Sequence, residues 1–191
     1  MFLSLSRGID KFNEVIATAV SWALLAAVII STVNSLMLYL FKSSSNAWLE
    51  IQWYLYGAVF LLASANTLKR DEHVRIDVIV GRFSLRTQVW IDLFGYLVFL
   101  LPVCALIFWF SLAYAEVGYL SGEIRNVGGL PAWPAMMLVP IAFLMLIVQG
   151  VSEIIKRVAF LNGRLEAGAF RKVAPTPADE IAAIKAANAP E

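Results

Sequence analysis

The stretch Val15–Phe41, VIATAVSWALLAAVIISTVNSLMLYLF, decides the fold: its 27 residues include no Asp, Glu, Lys, Arg or His. A helix needs roughly 20 apolar residues to cross the hydrocarbon core of a bilayer. Three more charge-free runs follow, Ile51–Leu68, Leu93–Ala115 and Asn126–Ser152, of 18, 23 and 27 residues. The second is the narrowest. It can borrow Ala47, Trp48 and Leu49 across Glu50, whose carboxylate then sits near the headgroups. Barrel strands alternate apolar and polar positions over about 10 residues, and none of these runs alternates. The first run is too long for a signal-peptide apolar region of about 7–15 residues. All four therefore read as spans.

Composition agrees. Hydrophobic residues make up 60% of the 191 and charged residues 15%, where a soluble domain carries about 25% charged residues. Mean hydropathy is +0.75. With 15 basic and 14 acidic residues, the net charge is +1, which leaves no concentrated basic face for nucleic acid. The lone cysteine, Cys104, excludes an internal disulfide and any multi-cysteine metal site. The lone histidine, His73, excludes haem held between two histidines of the chain. Charge-free spans hold no ion, redox or nucleophilic site. The expectation is an all-α integral membrane protein with four transmembrane helices. It has no catalytic residues, no metal and no cofactor, and it acts on behalf of another chain.

Basic residues orient the spans, because cytoplasmic segments carry the excess of Lys and Arg. Residues 1–14 hold Arg7 and Lys11. The second connection holds Lys69, Arg70, Arg75, Arg82 and Arg86. The segment after the last span holds six, from Lys156 to Lys185. The other two connections hold only Lys42 and Arg125. Both termini are thus expected inside. Three parts follow: an amphipathic segment over residues 1–14, a membrane domain over 15–161, and a tail over 162–191. The spans fall at about 15–41, 48–68, 86–115 and 130–155. The first segment places Phe2, Leu5, Ile9, Phe12 and Ile16 on one stripe, to lie on the inner surface or lead into the first span. Ser84 reads as an N-cap for the third helix. The tail, rich in Ala, charge and Pro, is too poor in apolar surface to fold.

Three motifs stand out. In Trp48–Leu49–Glu50–Ile51–Gln52–Trp53–Tyr54 the aromatics mark a membrane interface. Glu50, Tyr54, Gly57, Leu61 and Ser64 then share one helical face, on which Gly57 and Ser64 are small enough for another helix to approach. Trp48, Glu50, Trp53, Tyr54, Gly57 and Ser64 are the candidate partner interface. Lys42 and Arg125 are the basic residues able to meet Glu50 from within the chain. Lys69–Arg70–Asp71–Glu72–His73–Val74–Arg75–Ile76–Asp77 interleaves opposite charges, so Arg70, His73, Arg75 and Asp77 are expected to fix the turn after span two. In Gly128–Gly129–Leu130–Pro131–Ala132–Trp133–Pro134 the glycines permit a tight turn, and the prolines suit a first helical turn.

Together these strings resemble the small membrane subunit (DctQ-like) of the tripartite ATP-independent periplasmic (TRAP) transporters. The likeness covers about residues 10–160. It rests on Trp48–Leu49–Glu50, Gly57–Ala58, Leu68–Lys69–Arg70–Asp71, His73–Val74–Arg75–Ile76–Asp77 and Gly129–Leu130–Pro131–Ala132–Trp133–Pro134. Where many members carry a second acidic residue in span two, this chain has Ile51. The resemblance implies an accessory or scaffold subunit of the bacterial inner membrane, multi-pass and surrounded by membrane lipid. Its implied partners are a large multi-span TRAP membrane subunit and a periplasmic solute-binding protein, for ion-coupled uptake of an organic acid. The rival expectation is a membrane assembly or scaffold protein unrelated to solute transport.

The topology is testable in a Cys104→Ser background. Ser44→Cys and Gly122→Cys should react with an impermeant thiol reagent added outside, and Ser84→Cys and Ala174→Cys should not. Outside labelling at position 84 would reverse the orientation.

Overall fold

The computed structural model describes residues 2–70, 83–125 and 128–165, and these are mostly helical. Four long helices follow one another: α1 (Phe2–Phe41), α2 (Asn46–Lys69), α3 (Leu85–Leu120) and α4 (Trp133–Leu161). Among the described residues the only β pairing is an isolated bridge between Ile124 and Pro131. α2 packs between α1 and α4, and α3 packs on α4.

Local chemistry explains the helix ends. Lys42 takes a positive φ in the turn after α1, and Asn34 Oδ1 accepts from Ser45 N at 3.1 Å, tying that turn to its own helix. Ser84 caps α3, accepting from Thr87 N, as its position in the sequence suggested. α4 ends in a Schellman motif: Gly163 N reaches Phe160 O, Arg164 N reaches Ala159 O, and Gly163 supplies the left-handed φ of +69°. α3 widens to π turns over Gly95–Leu100, just before Pro102, which has no N–H to continue the α ladder.

α1 runs unbroken through residue 14. At about 1.5 Å per residue its 40 residues extend some 60 Å, twice the hydrocarbon thickness. Its first turns point small polar residues inward while Arg7, Lys11 and Glu14 stay exposed. Ser6 and Asn13 are 1% exposed, whereas Leu5 and Phe12 are 58% and 60% exposed. Ser6, Asp10 and Asn13 face α4, and Leu5 and Phe12 face outward.

α1, α3 and α4 are long and apolar enough to cross a membrane. The fourth expected span, α2, falls outside that set although it has 24 residues. Glu50, Gln52, Tyr54, Tyr56 and Asn66 lower its hydropathy.

A polar network joins the four helices at one end. Gln149 is completely buried. Its amide donates to Asp10 Oδ1 and Glu153 Oε1, both at 2.9 Å, and its oxygen accepts from Asn13 Nδ2 at 2.7 Å. Lys156 pairs with Asp10 at 3.0 Å and also with Glu153. Arg157, 1% exposed, pairs with Glu153 at 2.6 Å and with Asp92 of α3 at 3.4 Å, and stacks over the Tyr96 ring at 4.4 Å. Lys69 of α2 reaches Glu14 at 3.2 Å.

Removing one partner of a buried ion pair typically costs about 3–5 kcal/mol, because the other charge stays buried. Glu153→Ala, which takes one carboxylate partner from Lys156 and one from Arg157, should sharply lower the thermal midpoint of the detergent-solubilised chain. Arg7→Ala, at an exposed position, should leave it nearly unchanged. Equal midpoints for both variants would show that the network is not holding the helices.

Candidate functional site

The opposite end of the bundle carries the motif that stood out in the sequence. α2 begins at Asn46, so Glu50 and Tyr54 lie one turn apart in its first turns. Above them, the segment between α3 and α4 folds back as a small hairpin. Arg125 N donates to Leu130 O and Ala132 N to Glu123 O, both at 2.9 Å, and Gly129 N donates to Arg125 O at 3.0 Å. Gly122 and Gly129 supply the positive φ values that this reversal needs. Tyr119 and Trp133 close the base of the hairpin edge to face at 5.7 Å. Pro134 sits in the first turn of α4, while Pro131 stays in the hairpin.

The hairpin clips onto α2. Arg125 Nε lies 4.0 Å from Glu50 Oε1, so Arg125, of the two basic residues available, is the one that approaches Glu50. The Tyr54 hydroxyl lies 3.1 Å from Glu50 Oε1 and 3.1 Å from the Pro131 carbonyl, two acceptors for one proton. Gly128 rests on the α2 N-terminus. A β-carbon there would overlap Glu50 Oε2 and come within 3.0 Å of Ala47 Cα and Asn46 O. Glu50 is 9% exposed, and its Oε2 has no hydrogen-bond partner. Among the described residues the buried side-chain oxygens left without a partner are Glu50 Oε2, Gln52 Oε1 and Asn66 Oδ1, all on α2.

Below the hairpin a groove of about 680 Å³ opens between α2 and α4. Glu50, Trp53, Tyr54 and Gly57 line it together with Glu123 and Arg125, and Leu61 and Leu138 form apolar wall. A β-carbon on Gly57 would meet nothing within 4 Å, so this glycine opens onto free space. Trp53 and Phe60 stand beside it at 75% and 80% exposure. Trp48 and Ser64, expected on the same surface, do not line the groove. Trp48 is exposed elsewhere on the helix, and Ser64 turns its hydroxyl back to Leu61 O at 2.6 Å. Arg70 caps α2 through its backbone N–H to Asn66 O, with its side chain exposed. His73, Arg75 and Asp77 lie outside the described residues, as does the tail from 166 on. Among the described residues no three His, Cys, Asp or Glu side chains converge as a metal site.

The charge-free-run reading missed the Asp10–Gln149–Glu153–Lys156–Arg157 cluster. Its signal was periodicity. Gln149, Ser152, Glu153, Lys156 and Arg157 recur at helical spacing on one face, as do Ser6, Asp10 and Asn13.

Gly128→Ala should push the hairpin off α2, at a cost of about 1–3 kcal/mol, typical of overpacking. Tyr54→Phe removes one hydroxyl and should cost about 0.5–1.5 kcal/mol. Thermal midpoints of the two variants should therefore fall in that order. A Gly128→Ala variant as stable as the parent would mean that the hairpin does not rest on Glu50.

No curated protein matches the sequence. A family model described as the DctQ component of tripartite ATP-independent periplasmic transporters matches residues 27–160. That stretch takes in the C-terminal part of α1, all of α2 and α3, the hairpin and nearly all of α4. With well over half of its length matched, the chain belongs to the DctQ family, the small membrane components of TRAP transporters.

Proposed function

We propose that this chain is the accessory, scaffold-forming membrane subunit of a TRAP transporter and catalyses no reaction itself. It crosses the inner membrane four times with both termini inside, within a membrane domain spanning residues 15–161. It pairs with the larger multi-span subunit, to which a periplasmic binding protein delivers an organic acid for ion-coupled uptake. Family membership supports this reading and weighs against an assembly protein unrelated to transport.

The observation that carries the pairing is the contrast between α2 and its neighbours. The outward faces of α1 and α3 are apolar: Trp22, Leu36, Leu106 and Phe110 are among their exposed residues. Such surfaces suit lipid. α2 is less apolar, yet it leaves Trp53, Gly57 and Phe60 uncovered beside a groove rimmed by charge. A helix face with a small residue between aromatics suits close packing by another helix. We assign the partner interface to Glu50, Trp53, Tyr54 and Gly57 on that basis, and place Trp48 and Ser64, which lie off the groove on the same helix, outside its centre.

The chain alone in liposomes should move no organic acid. The same chain co-reconstituted with the large subunit and binding protein should support uptake. Ion-driven uptake by the single chain would refute the accessory role. Glu50→Ala should weaken retention of the large subunit in detergent while the variant still inserts, with Glu50→Gln intermediate. Full retention by Glu50→Ala would mean that Glu50 marks the membrane interface without serving the partner.

A further inference from the structure

The groove beside α2 also constrains what fills it. We infer that it receives the outer end of a membrane helix from the larger subunit, and that this helix carries a lysine or arginine toward Glu50. This rests on the pairing proposed above and goes further, to the chemistry of the contact.

Two acids, Glu50 and Glu123, and one base, Arg125, line the groove. The base holds Glu50 loosely, at the 4.0 Å limit of an ion pair, and its side chain is 46% exposed. Glu50 itself is 92% buried at the side chain: Oε2 lies against Gly128 with no donor, while Oε1 lies beside Tyr54 and Arg125, which line the groove. A carboxylate that far from water is stabilised by a second donor and penalised without one. The excess of acid favours a cationic visitor, and a lysine or arginine at a helix end near the membrane surface has the reach. The apolar wall of Leu61 and Leu138 and the open notch at Gly57 take the body of that helix.

A second copy of this chain fits less well. A two-fold contact sets the same patch against itself, so Glu50 and Glu123 would face their own duplicates. A phospholipid chain would cover the apolar wall. Its tails, however, offer no charge to the acids at the rim of the groove.

The test uses the full chain co-expressed with the large subunit in native membranes, with a photoreactive benzophenone side chain in place of Leu138. Illumination should produce an adduct with the large subunit, identified by mass. The same probe in place of Phe110, 69% exposed on the far face of α3, should produce none. Glu50→Gln should cut the adduct yield by about threefold or more, a drop well inside the loss expected on removing one partner of a buried charged contact.

An adduct with a second copy, or with lipid alone, overturns the inference. So does an adduct whose yield ignores Glu50→Gln. If the large subunit co-purifies but no adduct forms at position 138, the groove assignment fails and the pairing stands. If the large subunit does not co-purify with the unaltered chain, both fail.

Discussion

One amide side chain joins the first helix of this protein to the last. Gln149 is buried between Asp10, Asn13 and Glu153, with every hydrogen-bonding atom of its amide group engaged. Around it Lys156 and Arg157 neutralise carboxylates from three helices. Helices surrounded by lipid gain little from burying apolar surface against each other, since lipid tails are as apolar as the helices. Directional polar contacts then set which helices are neighbours and in what register. The network fixes α1 against α4 and draws in α3 through Asp92 and α2 through Lys69.

The two ends of the bundle differ in how completely they satisfy their buried charged groups. At the network end the glutamine amide and the charged groups have partners. At the hairpin end Glu50 has a tyrosine, a distant arginine and one oxygen with nothing. Gly128 allows the hairpin to sit close enough to bury this carboxylate without supplying a donor to that oxygen. The first end holds the helices together. The second keeps an unmet polar demand beside an open groove, as a surface that awaits another chain does.

Much of this was legible in the sequence, for local reasons. Charge-free runs located the helices, Ser84 marked a start, and the Trp48–Tyr54 string marked the membrane-edge turn of α2. What was not legible depended on residues far apart in the chain. Asp10 and Lys156 pair across 146 positions, and nothing near either residue announces it. Counting charge-free runs also hid the network by construction, because the last run ends at Ser152, where the buried charges begin. The amphipathic start of α1 did not announce its contact with α4, because amphipathicity shows that two faces differ but not which neighbour each one meets. Arg125 and Lys42 were equal candidates for Glu50 until the glycine-built hairpin brought Arg125 over α2.

The central claim is that the open face of α2 is a protein-facing surface in a chain otherwise dressed for lipid. A structure of the co-purified membrane complex in lipid nanodiscs tests it most directly. The account predicts a partner helix against Trp53, Gly57 and Phe60, with a basic side chain within about 4 Å of Glu50, the range of an ion pair. A complex in which that face looks into lipid, with the partner docked on α3 instead, would contradict it.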